Sequence, residues 1–121
     1  MESKQEKGKR GEALAERYLK AQGYEVLQHR YRKRNGEIDL ICQQEDTLVF
    51  VEVKARTDTQ YGTPAEAVNR RKQQALTLAA FAYMQQQGKL ESPSRFDVVE
   101  VNLSNGQIRH IKDAFWACLP G

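Results

Sequence analysis

Two acidic residues and a lysine occupy neighbouring strand-like segments of this sequence. Asp39 lies within residues 37–43, and Glu52 and Lys54 lie within residues 48–54; polar and apolar residues alternate in both segments. The short polar turn between the segments predicts a hairpin in which Asp39 faces Glu52. Two carboxylates that lie directly opposite each other repel. Three arrangements would relieve this repulsion: one acid is protonated, both are well solvated, or a cation is bound between them.

A cation between Asp39 and Glu52 would be Mg²⁺ or Mn²⁺, because an oxygen-only site with two carboxylates suits hard cations that keep several waters. Lys54 projects on the same face of the strand as Glu52. Such a metal polarises a phosphate, and a neighbouring lysine can orient or deprotonate the nucleophile. The residue types therefore favour phosphodiester hydrolysis. The alternative is an exposed hairpin whose acids simply face water, with Lys54 paired with Glu37.

Strand alternation also predicts how the two faces of the hairpin differ. One face carries Asp39, Glu52 and Lys54, and it changes from mixed composition near the turn to charged at its far end. The other face is wholly apolar and is expected to be core. Its members are Ile38, Leu40 and Cys42 on the first strand and Val49, Val51 and Val53 on the second.

Basic residues around the hairpin are candidates for contacts with a phosphate backbone. Arg56 follows the second strand and can clamp a phosphate, and Lys72 shares a helical stripe with apolar residues, so its stem can lie on apolar surface while its head reaches a phosphate. Each also has an ordinary interpretation, as a solvated loop or surface cation. The densest basic stretch precedes the hairpin, with Tyr31 interleaved, and contains Arg30, Arg32, Lys33 and Arg34.

The elements that must position these residues follow from periodicity and turn signals. They succeed one another in the order α-β-β-β-α-β-β, which predicts one α/β domain with a mixed central sheet flanked by two helices. Residues 1–7 are expected to be a flexible N-terminal tail, and residues 8–121 the single domain. The predicted elements are a helix over 8–22, a strand over 24–30, the hairpin, a helix from Thr63-Pro64 to about Gln87, strands over 95–103 and 107–112, and a short helix or covering segment over 113–119.

Composition limits the class of protein. The chain has 121 residues, 40% hydrophobic and 29% charged, with a formal net charge of +3. These values are typical of one soluble globular domain. No apolar run approaches the roughly 18 residues of a membrane span, and the polar N-terminus lacks the apolar core of an export signal. We therefore expect a cytoplasmic protein with no membrane partner, in which Cys42 and Cys118 are reduced thiols.

Other chemistries are not favoured by the sequence. The two cysteines and two histidines lack the spacing of zinc ligands. No glycine-rich phosphate loop or dinucleotide fingerprint precedes a helix. His29 and His110 have no evident serine or cysteine partner for nucleophilic catalysis.

Several segments together resemble a known nuclease superfamily. Gly36-Glu-Ile-Asp-Leu-Ile41 and Phe50-Val-Glu-Val-Lys54 are similar to the Asp…Glu-x-Lys signature of the PD-(D/E)XK, or restriction-endonuclease-like, nucleases. Gly8-Lys-Arg-Gly-Glu-Ala-Leu-Ala-Glu-Arg-Tyr-Leu19 and Thr63-Pro-Ala-Glu-Ala-Val68 extend the match to the small bacterial YraN family within that superfamily. The resemblance covers about Gly8 to Lys112. One departure is Ile38, which stands where the superfamily name has proline.

This resemblance implies a restriction-endonuclease-like αβββαβ core with Asp39 and Glu52 as metal-binding acids and Lys54 as the catalytic lysine. It also implies a role for Glu12 in catalysis and metal binding, because the similar archaeal Holliday junction resolvases carry an active-site glutamate on the first helix. Glu12 shares a helical stripe with Ala15 and lies toward the apolar side, where a carboxylate needs a cation or donors. The alternative is that Glu12 merely complements the helix dipole.

The first functional hypothesis is a metal-dependent endonuclease that acts on DNA with Mg²⁺ or Mn²⁺. Nothing in the sequence predicts readout of base identity, so we expect selectivity for branched or repair-intermediate structures. A symmetric substrate such as a four-way junction would require a homodimer. The second hypothesis is a nucleic-acid-binding accessory protein that retains the nuclease fold without catalysis, and the third is a small folding or assembly module whose charged face is incidental.

Overall fold

The computed structural model describes residues 1–34, 36–57 and 68–119. Within them the elements follow the predicted order α-β-β-β-α-β-β. They are α1 (Lys4–Ala21), β1 (Glu25–Lys33), β2 (Gly36–Gln44), β3 (Thr47–Arg56), α2 (Arg70–Gln86), β4 (Ser94–Asn102) and β5 (Ile108–Phe115).

The strands form one mixed sheet in the order β1-β2-β3-β4-β5. Only β3 and β4 are parallel among these neighbours, because the chain crosses over between them by way of α2. The hairpin of β2 and β3 has the predicted register, with Ile41 opposite Phe50 and Gln43 opposite Leu48. The α/β fold is therefore confirmed, and it is consistent with a restriction-endonuclease-like core.

Each face of the sheet is covered by one helix, because both faces carry apolar side chains. On one face Ala15 and Leu19 of α1 pack in a cluster with β-strand residues such as Val51. On the other face Leu76 and Tyr83 of α2 belong to a second cluster. Both faces of the hairpin are therefore packed in hydrophobic clusters. The candidate site lies beyond Leu40 and Val51, where the regular hairpin pairing ends.

The N-terminal helix begins earlier than the sequence pattern predicts. Lys4 is its first residue, within the segment that we expected to be a tail. Ser3 is the N-cap: its hydroxyl accepts the Glu6 N–H at 3.1 Å, and the Ser3 N–H donates to the Glu6 carboxylate at 3.2 Å. This reciprocal pair is a capping box, which satisfies backbone donors that a helix end otherwise leaves open.

Three further boundaries differ from the sequence prediction. The basic stretch after residue 30 belongs to β1, which continues to Lys33. Strand β5 continues to Phe115, so the prediction of a helix is wrong for residues 113–115. Residues 116–119 instead cover α2, where the Cys118 N–H donates to Thr77 Oγ1 at 2.9 Å. The predicted helix start at Thr63-Pro64 lies outside the described residues; α2 itself begins at Arg70, after the N-cap Asn69.

Both cysteines are free and buried, as expected for structural thiols. Burial raises the pKa of the Cys42 thiol to about 12, which suppresses its thiolate. In the described portion of the chain, neither helix is long and apolar enough to cross a membrane.

Candidate active site

The regular β2–β3 pairing ends one residue before the two predicted metal-binding acids, Asp39 and Glu52. Regular pairing runs from Gln44 opposite Thr47 to Leu40 opposite Val51. At the next position the Asp39 carboxylate accepts the Val53 backbone N–H at 2.8 Å. The Asp39 side chain is thus hydrogen-bonded to the backbone of the neighbouring strand, and this bond holds its carboxylate beside β3.

Strand alternation changes at Asp39, contrary to the sequence prediction. Ile38 belongs to the cluster under α2 together with Ile41, whereas Leu40 belongs to the cluster under α1. The expectation that Ile38 and Leu40 share one face is therefore wrong. The register on either side places Arg30 of β1 opposite Asp39, and Arg30 has a φ of 46°. Arg30 therefore departs from regular strand geometry at the level where the alternation of β2 changes.

Asp39 and Glu52 interact through their carboxyl groups. Burial raises the pKa of Asp39 to about 7, and the Glu52 charge and a hydrogen bond between the two carboxyl groups contribute to the rise. The Val53 N–H and the charge of Lys72 oppose it. Glu52 itself is 4% exposed. The predicted juxtaposition of the two acids is therefore confirmed, and protonation of Asp39 relieves part of their repulsion below pH 7.

Two lysines lie at the Glu52 carboxylate. Lys54 Nζ is 4.0 Å and Lys72 Nζ 3.4 Å from the same oxygen, Glu52 Oε2. The alternative pairing of Lys54 with Glu37 is absent from the described ion pairs, where Glu37 instead contacts Arg32 at 3.3 Å. Lys72 reaches Glu52 from α2, so the structure adds a second lysine to the one on β3.

Glu12 and Asp39 line the same two clefts beside α1. The β1-side cleft has a volume of about 300 Å³ and the β3-side cleft about 270 Å³, enough for several water molecules. Glu12 accepts a hydrogen bond from Arg30 at 3.1 Å, and this contact raises the pKa of the arginine further above its ordinary value. Other residues of the β1-side cleft are Lys9, Ala13, Glu16, His29, Arg30 and Leu40; those of the β3-side cleft are Lys4, Lys7, Gly8, Val53 and Ala55.

The close approach of α1 to the sheet depends on Gly11. A Cβ atom at this position would lie 2.6 Å from the Ala55 Cβ of β3, closer than side chains pack. Glycine therefore lets α1 contact β3 directly, and Glu12 is brought to the level of Asp39.

Most of the predicted nucleic-acid-binding cations contact acids of the chain itself. Arg30 pairs with Glu12, Arg32 with Glu37, Arg56 with Glu100 and Lys72 with Glu52. Lys33 lies 5.3 Å from the centre of the Tyr31 ring, and Arg34 is exposed. Of the predicted cations, the structure therefore brings Lys72 to Glu52, whereas Arg32 and Lys33 lie along β1.

The sequence prediction missed a buried acid on β4. Glu100 is fully buried, and its oxygens lie 3.3 Å from Arg56 Nε and 3.2 Å from Arg109 Nε. In register it lies between Lys54 of β3 and Arg109 of β5. The run Phe96-Asp-Val-Val-Glu-Val101 contains a signal for this residue, because an acid among the apolar residues of a buried strand needs a basic partner.

A second buried acid on β4 forms a network away from the clefts. Asp97 accepts from His110 at 2.7 Å and from the Asp113 N–H at 3.0 Å, and the other imidazole nitrogen lies 3.0 Å from the Tyr18 hydroxyl. Hydrogen bonds from His110 and Arg95 hold the pKa of Asp97 below its usual value in spite of its burial. This network joins α1, β4 and β5 and explains the position of one of the two histidines.

The acids form pairs rather than larger clusters in the part of the chain that the structure describes. No group of three His, Cys, Asp or Glu side chains within residues 1–34, 36–57 and 68–119 has the geometry of a metal site. Two carboxylates with oxygen donors only still fit Mg²⁺, since this ion usually takes one or two protein carboxylates and completes its shell with waters and substrate phosphates.

Comparison with known proteins identifies one protein family along most of the chain. Residues 11–101 match the family described as "Uncharacterised protein family UPF0102". A UPF0102 protein of Chlorobium chlorochromatii is 47% identical over 119 residues, which cover 92% of each chain. One of Rhodococcus opacus is 46% identical over 89% of this chain and 94% of its own, and one of Desulfosudis oleivorans is 40% identical over 98% and 97%.

Proposed function

Because the chain belongs to the uncharacterised protein family UPF0102, known also as the YraN family, we propose a function from its own site: it is a metal-dependent endonuclease that hydrolyses phosphodiester bonds in DNA. The observation that carries the proposal is the contact between the Asp39 and Glu52 carboxyl groups beside two lysines. Two acids at the end of a hairpin ladder destabilise the fold, and a divalent cation between them would remove that cost.

Each residue of the site has a chemical role in this proposal. Asp39 and Glu52 hold Mg²⁺ or Mn²⁺, which when bound polarises the phosphate and lowers the pKa of water. Lys54 orients or deprotonates the nucleophile, and Lys72 stabilises the negative charge that develops on the phosphate. Glu12 lines both clefts together with Asp39, where it can orient a water.

The proposed substrate class is branched DNA or a repair intermediate. The basic residues that line the clefts are Lys4, Lys7, Lys9 and Arg30, which suit phosphates, and phosphate contacts fix position without reading sequence. A four-way junction offers two equivalent strands, so paired incisions in it would require a homodimer.

A cleavage panel tests the proposal. Labelled single strand, duplex, flap and four-way junction are incubated with Mn²⁺, Mg²⁺ or EDTA. Asp39→Ala and Lys54→Ala remove proposed catalytic groups, and Asp46→Ala and Lys89→Ala are matched controls at exposed positions. We expect cleavage by the wild type and both controls, and none by the site variants or in EDTA. Equal cleavage by the site variants would identify a contaminating nuclease and refute the proposal.

A second candidate is a nucleic-acid-binding accessory protein that retains the nuclease fold without cutting. One observation favours it: Glu52 Oε2 already contacts two lysines, and Glu12 contacts Arg30, so two of the three acids are neutralised within the chain. In the same panel this candidate predicts binding of at least one DNA structure with no metal-dependent cleavage of any of them.

A further inference from the structure

Three lysines of the first two helical turns lie at the clefts. Lys4 and Lys7 line the β3-side cleft together with Asp39, and Lys9 lines the β1-side cleft. The predicted DNA-binding set does not include them, and Lys4 and Lys7 lie in the segment that the sequence predicts to be a flexible tail. They enter the site because α1 begins at Lys4 and Gly11 allows its close contact with β3.

These lysines are unfavourable for the helix itself. The N-terminal end of a helix carries a partial positive charge, so cations there destabilise it. Lys4 and Lys7 are also three residues apart, a spacing at which like charges repel, and Glu6 is the one acid of the first turn. The capping box of Ser3 and the Arg10–Glu2 ion pair at 2.7 Å nevertheless hold this end in place. A bound anion would remove this small cost.

The three lysines differ from the other cations around the site in their partners. Arg30, Arg32, Arg56 and Lys72 each contact an acid of the chain. By contrast, no carboxylate of the described ranges lies within ion-pair distance of Lys4, Lys7 or Lys9. Their ammonium groups are therefore available to an anion without the loss of an internal ion pair.

From this placement we infer that Lys4, Lys7 and Lys9 form the surface that binds the DNA sugar-phosphate backbone. The inference rests on the proposed function in taking DNA as the ligand. The bound strand then follows the N-terminal turns of α1 and enters the clefts at Asp39. The arginines of β1, which the sequence favours for this role, instead stabilise the local fold through Glu12 and Glu37.

The test is DNA binding by the whole chain in EDTA, so that binding is measured apart from cleavage. Fluorescence anisotropy gives the Kd for labelled duplex, flap and four-way junction between about 50 and about 200 mM salt. The test variant carries Lys4→Gln, Lys7→Gln and Lys9→Gln. Its matched control carries Arg17→Gln, Lys89→Gln and Lys112→Gln, which remove the same charge from exposed positions outside both clefts.

We expect the test variant to bind duplex at least about tenfold more weakly, and its log-affinity against log-salt slope to fall by about two to three, near 0.9 for each lost phosphate contact. The control should retain the wild-type slope. The melting temperature distinguishes binding from folding: the test variant should melt close to the wild-type temperature, because the lost attraction to acids such as Glu2 is opposed by the lost repulsion from the helix end.

Equal losses in the test and control variants would overturn the inference, and so would a wild type that binds no DNA. Tighter, lysine-dependent binding of an RNA duplex of the same sequence would overturn DNA as the ligand. Metal-dependent cleavage with wild-type kinetics in the test variant would leave the nuclease proposal intact and refute this inference alone. Lysine-dependent binding without any cleavage would support the inference and refute the nuclease proposal.

Discussion

Replacement of Asp39 by asparagine should stabilise the metal-free protein at alkaline pH. Asparagine keeps an oxygen that can accept the Val53 N–H, and it removes the charge that opposes Glu52. The rise in the Asp39 pKa from 3.8 to about 7 corresponds, at about 1.4 kcal/mol per pKa unit, to a penalty of about 4 kcal/mol for ionising this group in the folded state. We treat this value as an upper limit, since water in the adjoining clefts reduces it.

The sign of the pH dependence follows from linkage. The folded state holds the Asp39 proton more tightly than the unfolded state, so this group stabilises the fold fully below pH 3.8. That stabilisation is lost as the pH rises through about 7. The asparagine side chain does not titrate, so the stability advantage of the Asp39→Asn variant over the wild type should grow by up to about 3 kcal/mol between about pH 5 and about pH 8.5.

The assay is urea unfolding in EDTA, followed by circular dichroism at both pH values. Asp46→Asn at the exposed hairpin turn is the matched control and should match the wild type at each pH. A divalent metal should then reduce this difference: Mn²⁺ at 100 times its Kd stabilises a protein that binds it only when folded by about 2.7 kcal/mol, and the variant should not respond. A loss of stability in Asp39→Asn that is equal at both pH values would refute this reasoning.

Three other substitutions test the surroundings of the site by urea unfolding. Arg56→Ala should destabilise the fold by about 2 kcal/mol. This is less than the roughly 3–5 kcal/mol of a fully broken buried pair, because Arg109 remains at Glu100. No loss of stability would instead favour an Arg56 that is free to bind phosphate. Arg30→Gly should be more stable than Arg30→Ala by about 1 kcal/mol, since φ is 46°; equal stabilities would contradict the left-handed conformation. Gly36→Ala should destabilise by about 1–3 kcal/mol, because its Cβ would overlap the Ala75 carbonyl of α2; a neutral change would place α2 farther from β2.

The order of elements and the hairpin register were predictable because their signals are local. A period of two in residues 37–43 and 48–54, with a polar turn between them, determines which residues face each other. The pairing of Ile41 with Phe50 follows directly, and it brings Asp39 to the level of Glu52. Lys54 then joins them through strand alternation alone.

The change of alternation at Asp39 was not predictable from local pattern. It lies opposite a left-handed Arg30, and sequence rules assign positive φ to glycine or asparagine before arginine. The partners of the cations were also hidden, since Arg56 and Glu100 are far apart in the sequence and meet only across the β3–β4 pair. The early start of α1 did have a signal, the Ser3-x-x-Glu6 capping box, which a search for apolar periodicity overlooks.

The candidate site and the inferred DNA surface depend on one contact between α1 and the sheet. Gly11 contacts Ala55, and a larger residue there would move α1 outward by displacing its backbone from β3. Such a movement would carry Glu12 away from Asp39 and the N-terminal lysines away from the β3-side cleft at the same time. Asp39 and Glu52 would remain in place, because the hairpin holds them without α1. The proposed catalytic acids and the inferred DNA-binding surface are therefore separable parts, joined through a single glycine.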